Sequence, residues 1–529
     1  MYSFKDRLNN SFLKIQSITV VPDRLSYLIL FLILLSILAI RLTTINSPSL
    51  KWTQWKEIDY LTISKNYWQH GYRFLQPEVT WPAEPPRVTE MELPLVPFVA
   101  AVLYQLFGFN ASAARIVPLI AYLVMIIYVY KLTKRELDAY TGLVAGMAAG
   151  LMPLYHPFSN MLFTEPAMIA MSVVSLYYTA EWIEYQRRRE QILALLAITL
   201  TFSLKLESLY LLFPLSWIAF RKYRLQFKQY FGFILLIALS FILPIIWYSY
   251  AYYLENTGAH LFGIFKGHDK SQTLTMLTDY HWYRTMAGRV LNGIFGGLYG
   301  SALFLLGLGI IVVNRKGGLF LAYLASICIY FALIAEGQID APYRQLSIVP
   351  PSSIFMAVGA YTFLTTLSVL SGMSLKSDPV RKPWLLVIPF VFVLLIPFGR
   401  LSEVFREDVP VYWDRWALSQ EIVKYTDANS RLVVVGEYTS HVGGFDLSPV
   451  IFYYSNLQGW ILTPEHWTVG DVEALRERGA THFVVAPLYG SGFNNVPIPS
   501  YELFVNEMKS LYPIIYENQV QLILDLRMY

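Results

Sequence analysis

The sequence predicts a polytopic α-helical membrane protein with a small α/β domain at its carboxyl end. Three observations predict the spans and the domain. The 529-residue chain is 55% hydrophobic and 15% charged, with a mean hydropathy of +0.43, too apolar for a soluble globule. Apolar runs long enough to cross about 30 Å of hydrocarbon recur through residues 26–399. From residue 401 onward the composition changes to short β-branched runs and amphipathic segments.

The apolar runs lie near residues 26–44, 112–131, 140–156, 161–180, 190–220, 229–252, 290–313, 318–335, 345–368 and 384–399. The polar segment before the first run lacks a cleavable-signal pattern, so that run is expected to stay as a span. The run 190–220 is either one overlong helix or a hairpin turning at Lys205-Leu206-Glu207. Arg187-Arg188-Arg189 precedes it, and Arg221, Lys222 and Arg224 follow it. The positive-inside rule places both flanks in the cytoplasm and so requires the hairpin. That gives about eleven spans, with the amino terminus and the basic stretches 131–135, 315–316 and 376–382 also inside. Outside then lie the first loop (45–111), the turn 155–164, the Lys205 tip, the loop 253–288, the turn 336–343 and the carboxyl-terminal domain (401–529). Leu95 to Phe107 is apolar but short, and reads as a juxtamembrane helix on the outer surface, a transmembrane helix being the alternative. In the terminal domain, Arg431-Leu432-Val433-Val434-Val435 and Thr481-His482-Phe483-Val484-Val485 read as strands, with an amphipathic helix at 472–478 between them.

The net charge of +4 is small and its basic residues sit in short clusters between apolar runs, which excludes a nucleic-acid surface. The single cysteine, Cys328, excludes an internal disulfide and a thiolate cluster. The eight histidines include no His-x-x-x-His pair. A transporter or lipid-linked sugar flippase is the rival class; the missing internal repeat and the gathering of polar residues on one side argue against it.

The first loop is long, acidic and rich in tryptophan, and reads as a site, with a solvated cap as the alternative. It carries Glu57 and Asp59 in Trp55-Lys56-Glu57-Ile58-Asp59-Tyr60, and Glu92 in Glu90-Met91-Glu92-Leu93-Pro94. Glu165 opens a span in Phe163-Thr164-Glu165-Pro166, where Pro166 fits the first helical turn. All four carboxylates fall on one side; Glu165 either acts there or serves the helix terminus. The arms beside Lys205 are short, so the tip is expected below the outer surface, where an ammonium needs an anion. Glu207 or a lipid phosphate would supply it. His268 and His281 are the histidines that could join Glu92 at a divalent cation; no other cofactor is implied. Trp52, Trp55, Trp81, Trp247 and Tyr248 fit an interfacial belt as well as sugar stacking.

These pieces, in this order, resemble the membrane glycosyltransferases of the GT-C superfamily, specifically the family 39 protein O-mannosyltransferases and the aminoarabinose transferases of lipid A. The resemblance covers most of residues 26–400 and rests on Trp55-Lys56-Glu57-Ile58-Asp59, Glu92-Leu93-Pro94 leading into Leu106-Phe107-Gly108 and Ala114-Arg115, Thr164-Glu165-Pro166, and Leu204-Lys205. It implies a polyprenyl-phosphate sugar donor, inversion at the anomeric carbon, and a catalytic acidic residue of the first loop, mapped onto Asp59. The chain departs from the family's adjacent Asp-Glu pair and from the Lys-Pro-Pro of the aminoarabinose transferases. On this reading Asp59 is the base, with Glu57 its competitor and Glu165 the further catalytic candidate, Lys205 holds the donor phosphate, and Glu165 and Glu92 orient the acceptor or hold a metal. The acceptor is a glycan, a lipid or a protein.

Overall fold

Each apolar run that the sequence marks appears as helix in a computed structural model, which describes residues 21–47, 55–258, 261–265, 273–314, 317–370, 387–396, 410–436, 449–485, 499–519 and 521–527. The longer helices are α1 (Asp23–Leu42), α2 (Trp55–Gln69), α3 (Leu95–Phe107), α4 (Ala111–Glu136), α5 (Ala139–Leu151), α6 (Thr164–Tyr185), α7 (Arg188–Leu204), α8 (Leu212–Tyr223), α9 (Tyr230–Ser240) and α10 (Ile242–Thr257). They are followed by α11 (Tyr280–Gly288), α12 (Leu298–Asn314), α13 (Gly318–Leu333) and α14 (Val349–Leu370). Among the described residues, four helices are long and apolar enough to cross a membrane individually: Asp23–Leu42, Ala111–Glu136, Phe227–Thr257 and Pro342–Phe363. The shorter apolar helices pack beside them.

Helix direction alternates along the bundle, and ion pairs mark one end of it. Lys134 meets Asp23 (2.7 Å), Arg135 meets Glu181 (2.8 Å) and Lys222 meets Glu184 (3.1 Å). Gln186 Nε2 donates to the Tyr223 hydroxyl (3.2 Å), so the segment 188–223 leaves this end on α7 and returns to it on α8. The hairpin expected from charge is present, with a turn of 3-10 helix at Leu206–Leu211 after Lys205. Leu95–Phe107 is 13 residues, about 20 Å of helix, with Val96, Ala100 and Tyr104 buried and Val99, Val102, Leu106 and Phe107 exposed. That length falls short of about 30 Å of hydrocarbon, and its exposed face is apolar.

One expected span is shifted. The run read as 290–313 is interrupted by Gly296 (φ 72°) and Gly297 (φ 96°), whose left-handed backbone favours glycine, and the axis turns by 95° between Tyr280–Ile294 and Leu298–Asn314. Apolarity alone did not register this corner. Farther along, α12 and α14 pack backbone to backbone. A Cβ at Gly307 would lie 1.8 Å from the Phe355 carbonyl oxygen, and one at Gly359 would lie 1.9 Å from that of Leu303.

The carboxyl-terminal part is an α/β sandwich. Its sheet runs in the order β2 (Gln458–Leu462), β1 (Arg431–Val435), β3 (His482–Val485), β5 (Leu522–Asp525), β4 (Ile514–Glu517), with the first three parallel and the last two antiparallel to their neighbours. Side chains alternate between two cores. Val433, Val435, Phe483 and Leu524 pack with Val472, Leu475 and Met508, while Leu432, Val434, Val484 and Ile523 pack with Leu418, Ile422 and Phe452. Burial on both faces is why β1 reads as an unbroken apolar run.

Candidate functional site

The site lies at the end of the bundle opposite those ion pairs, where α2 meets the start of α6 and the tip of the hairpin. Lys56 and Tyr60 are four residues apart on α2 and therefore share a face. Lys56 Nζ donates to Glu165 Oε1 (3.2 Å), and the Lys205 ammonium donates to the same oxygen. Glu92 Oε1 lies 3.8 Å from Lys56 Nζ and 3.7 Å from Lys205 Nζ, while its other oxygen accepts from the Tyr60 hydroxyl (2.8 Å). The Tyr343 ring closes the cluster, 4.4 Å from the Lys56 ammonium and 5.3 Å from that of Lys205.

Local structure explains the convergence. Glu165 stands in the first turn of α6, where the helix dipole favours a carboxylate, and Lys205 caps the end of α7. The loop carrying Glu92 is stitched to the tip by Leu93 N donating to Ser203 O (3.2 Å) and to α10 by Trp247 Nε1 donating to Met91 O (3.0 Å). Glu90 accepts from the backbone of Leu261 and Gly263, which pins the later loop over the first. Burial is the largest influence and pulls the Lys56 ammonium down, but Glu165, Tyr343 and Glu92 together outweigh it and leave its pKa above the ordinary lysine value.

The two carboxylates of the first loop part company. Glu57 is fully buried; Arg115 Nε and Nη2 donate to its two oxygens (2.8 and 2.9 Å), and Leu162 N adds a third bond (3.0 Å). A carboxylate so engaged holds α2, α4 and the turn before α6 together. Asp59 is buried at 2% exposure; helical spacing sets it some 200° round from Glu57, with the face of Lys56 and Tyr60 between the two.

The remaining candidates are sorted by their neighbours. Glu207 acts on Lys205 by charge and not by contact: its Oε1 lies 3.6 Å from Arg344 Nε, and the ion pairs of the Lys205 ammonium are with Glu165 and Glu92. His268 lies outside the described residues. His281 is exposed and lines a cleft with Arg284 and Arg289, whose positive charge disfavours a cation, and no contact among the described residues joins it to Glu92. Glu92 itself sits beside two ammonium groups, and among the described residues no three His, Cys, Asp or Glu side chains come together. These donors do not fit a divalent cation.

Sequence reasoning missed Lys56, Tyr343 and Arg344 as members of the site. Lys56 was visible as the residue four before Tyr60. Ala341-Pro342-Tyr343-Arg344-Gln345 carried the other signal, a cation and an aromatic in a turn between two apolar runs.

The dolichyl-phosphate-mannose-protein mannosyltransferase family matches residues 86–248. Among solved structures, the chain is similar to ArnT from Cupriavidus metallidurans, in its apo state (TM-score 0.63, 12% identity) and bound to undecaprenyl phosphate (TM-score 0.64, 11% identity). Both comparisons cover 94% of this chain and 97% of the other. The apo oligosaccharyltransferase of Archaeoglobus fulgidus is also similar, with TM-score 0.54 and 12% identity over 87% of this chain and 69% of that one. No curated protein matches the sequence.

Proposed function

We propose, from the mannosyltransferase-family match over residues 86–248 and the fold shared with ArnT, that the chain is a GT-C superfamily membrane glycosyltransferase that moves a hexose or pentose from a polyprenyl-phosphate donor to an acceptor hydroxyl on the outer face of the membrane, inverting the anomeric carbon. The observation that carries this reading is the pair of buried ammonium groups, Lys56 and Lys205, sharing Glu165 and Glu92 under the first loop. Two cations held close together by carboxylates suit a phosphate dianion that takes over part of those contacts. That ArnT is known bound to undecaprenyl phosphate, the lipid phosphate such a donor would leave behind, supports this reading.

The chemistry asks little beyond this. A phosphate with second pKa about 6 leaves readily once its charge is met, so no general acid is needed. The acceptor oxygen bonds to the anomeric carbon as the bond from that carbon to the phosphate oxygen breaks. The electron pair leaves on the phosphate, toward Lys56 and Lys205, and Asp59 takes the hydroxyl proton. Glu165 and Glu92 keep the ammonium groups in place before the donor arrives. The test is transfer from a labelled polyprenyl-phosphate sugar by the purified full chain. Failure to release free polyprenyl phosphate, with wild type and a range of sugars alike, would overturn the reading.

A further inference from the structure

Helix α11 and the turn of π-helix after it (Arg289–Ile294) present three faces. One is buried, with Trp282 and Met286 inward and Trp282 Nε1 donating to Ala335 O (2.8 Å). A second leaves Tyr280, Tyr283 and Leu291 exposed. Between them runs a cleft of about 560 Å³ lined by His281, Arg284, Thr285, Arg289 and Asn292, with two glycines. No carboxylate lines it. Asp279, the nearest in sequence, is turned away to cap the helix by accepting from His281 N (2.8 Å). Arg284 is exposed and makes no ion pair among the described residues. Arg289 Nη1 donates to Gln338 O (2.6 Å), on the connection that continues to Tyr343 and Arg344 of the site.

The 95° corner gives this surface its setting. If Leu298–Asn314 runs through the bilayer, the segment from Tyr280 to Ile294 lies along the surface, with tyrosines and a leucine toward the hydrocarbon boundary and arginines at headgroup level. We propose that the cleft formed by His281, Arg284, Arg289 and Asn292 binds a phosphate group presented at the membrane surface. The inference rests on the membrane reading of the fold and not on the transfer reaction. Guanidinium forks recognise phosphate oxygens in pairs, and the space over Gly288 and Gly293, where an added Cβ meets nothing within 4 Å, leaves room for the group.

The test titrates the purified full chain in neutral detergent with phosphatidylglycerol, followed by native mass spectrometry, with a phosphate-free glucosyl diacylglycerol as control. Wild type should bind the phospholipid in preference to the glycolipid. Arg284→Gln should weaken phospholipid binding at least about tenfold, the loss of one charge-assisted contact. Gly288→Glu, which sets a carboxylate into the open cleft, should do the same through an independent change. Competition by millimolar inorganic phosphate separates the sources: displacement means that free phosphate is accepted, and persistence means that the group must arrive on a lipid. Equal binding of both lipids by wild type, or unchanged phospholipid affinity in both variants, would overturn the proposal. A negative transfer assay with this binding intact would count against the proposed reaction alone.

Discussion

At the scale of single residues, Glu57 and Asp59 call for opposite experimental signatures. Glu57→Gln removes the charge that compensates buried Arg115, and breaking such a pair costs about 3–5 kcal/mol. It should lower the melting temperature in detergent while the folded fraction keeps its turnover. Asp59→Asn should leave melting unchanged and slow transfer by roughly 10² to 10⁴. Stable, fully active Asp59→Asn would remove it as the base. Lys65, on the same helix, gives a pH signature: burial lowers its pKa to about 8, with its ammonium near the Phe109 ring. The unfolded chain binds the proton up to the ordinary lysine value of about 10.4. Between about pH 8 and 10.4 the unfolded state therefore holds more protons, and stability rises with pH there. Lys65→Met should raise the melting temperature at pH 7 and flatten that rise. Identical pH profiles for the two proteins would show that Lys65 carries no such penalty.

At the scale of elements, the sequence made the hairpin legible because charge acts at its flanks, and Arg187 and Arg221 mark its two ends whatever the interior does. The same reasoning could not see the corner at Gly296 and Gly297, because hydropathy averages over a window and a two-glycine bend leaves it unchanged. Likewise the carboxylates of the site were legible as rare charges on one side, whereas their sharing of two lysines depends on α2 turning Lys56 and Tyr60 to one face, which composition does not record. Glu207, one of the two anions the sequence offered to Lys205, makes its ion pair elsewhere because the turn of 3-10 helix carries its carboxylate toward Arg344. The hairpin has a direct test. With Cys328 replaced by serine, a cysteine at Leu209, exposed near the tip, should react with an impermeant maleimide added outside, and one at Arg224 only after the membrane is opened. The reverse pattern would turn the proposed topology over.

At the scale of the whole molecule, the terminal domain is fastened to the loop that builds the site. Glu84 accepts from Arg478 Nε and Nη2 (2.7 and 2.8 Å) and from Trp460 Nε1 (2.6 Å), while the Tyr453 ring meets Phe109 at a centroid distance of 6.1 Å. Burial works to raise the Glu84 carboxyl, but the bonds from Arg478 and Trp460 outweigh it and hold its pKa below the usual carboxylate value. A depressed folded-state pKa means that the contact contributes its full stability above the unfolded value of about 4.3 and loses it as pH falls through the lower folded value. The pair is partly exposed, with 30% of the Glu84 and 54% of the Arg478 side chain open to solvent, so its contribution is about 0.5 to 1 kcal/mol at most. That is enough to shift a local opening without unfolding the bundle. Hydrogen exchange at the backbone of residues 458–462 and 78–88 should therefore quicken together in wild type between pH 7 and pH 3.5, after correction for the intrinsic pH dependence of exchange. Glu84→Gln should exchange quickly at both. Slow exchange in Glu84→Gln at pH 7 would mean that Tyr453 and Phe109 fasten the domain without the ion pair, and the terminal domain would then hold the first loop by packing alone.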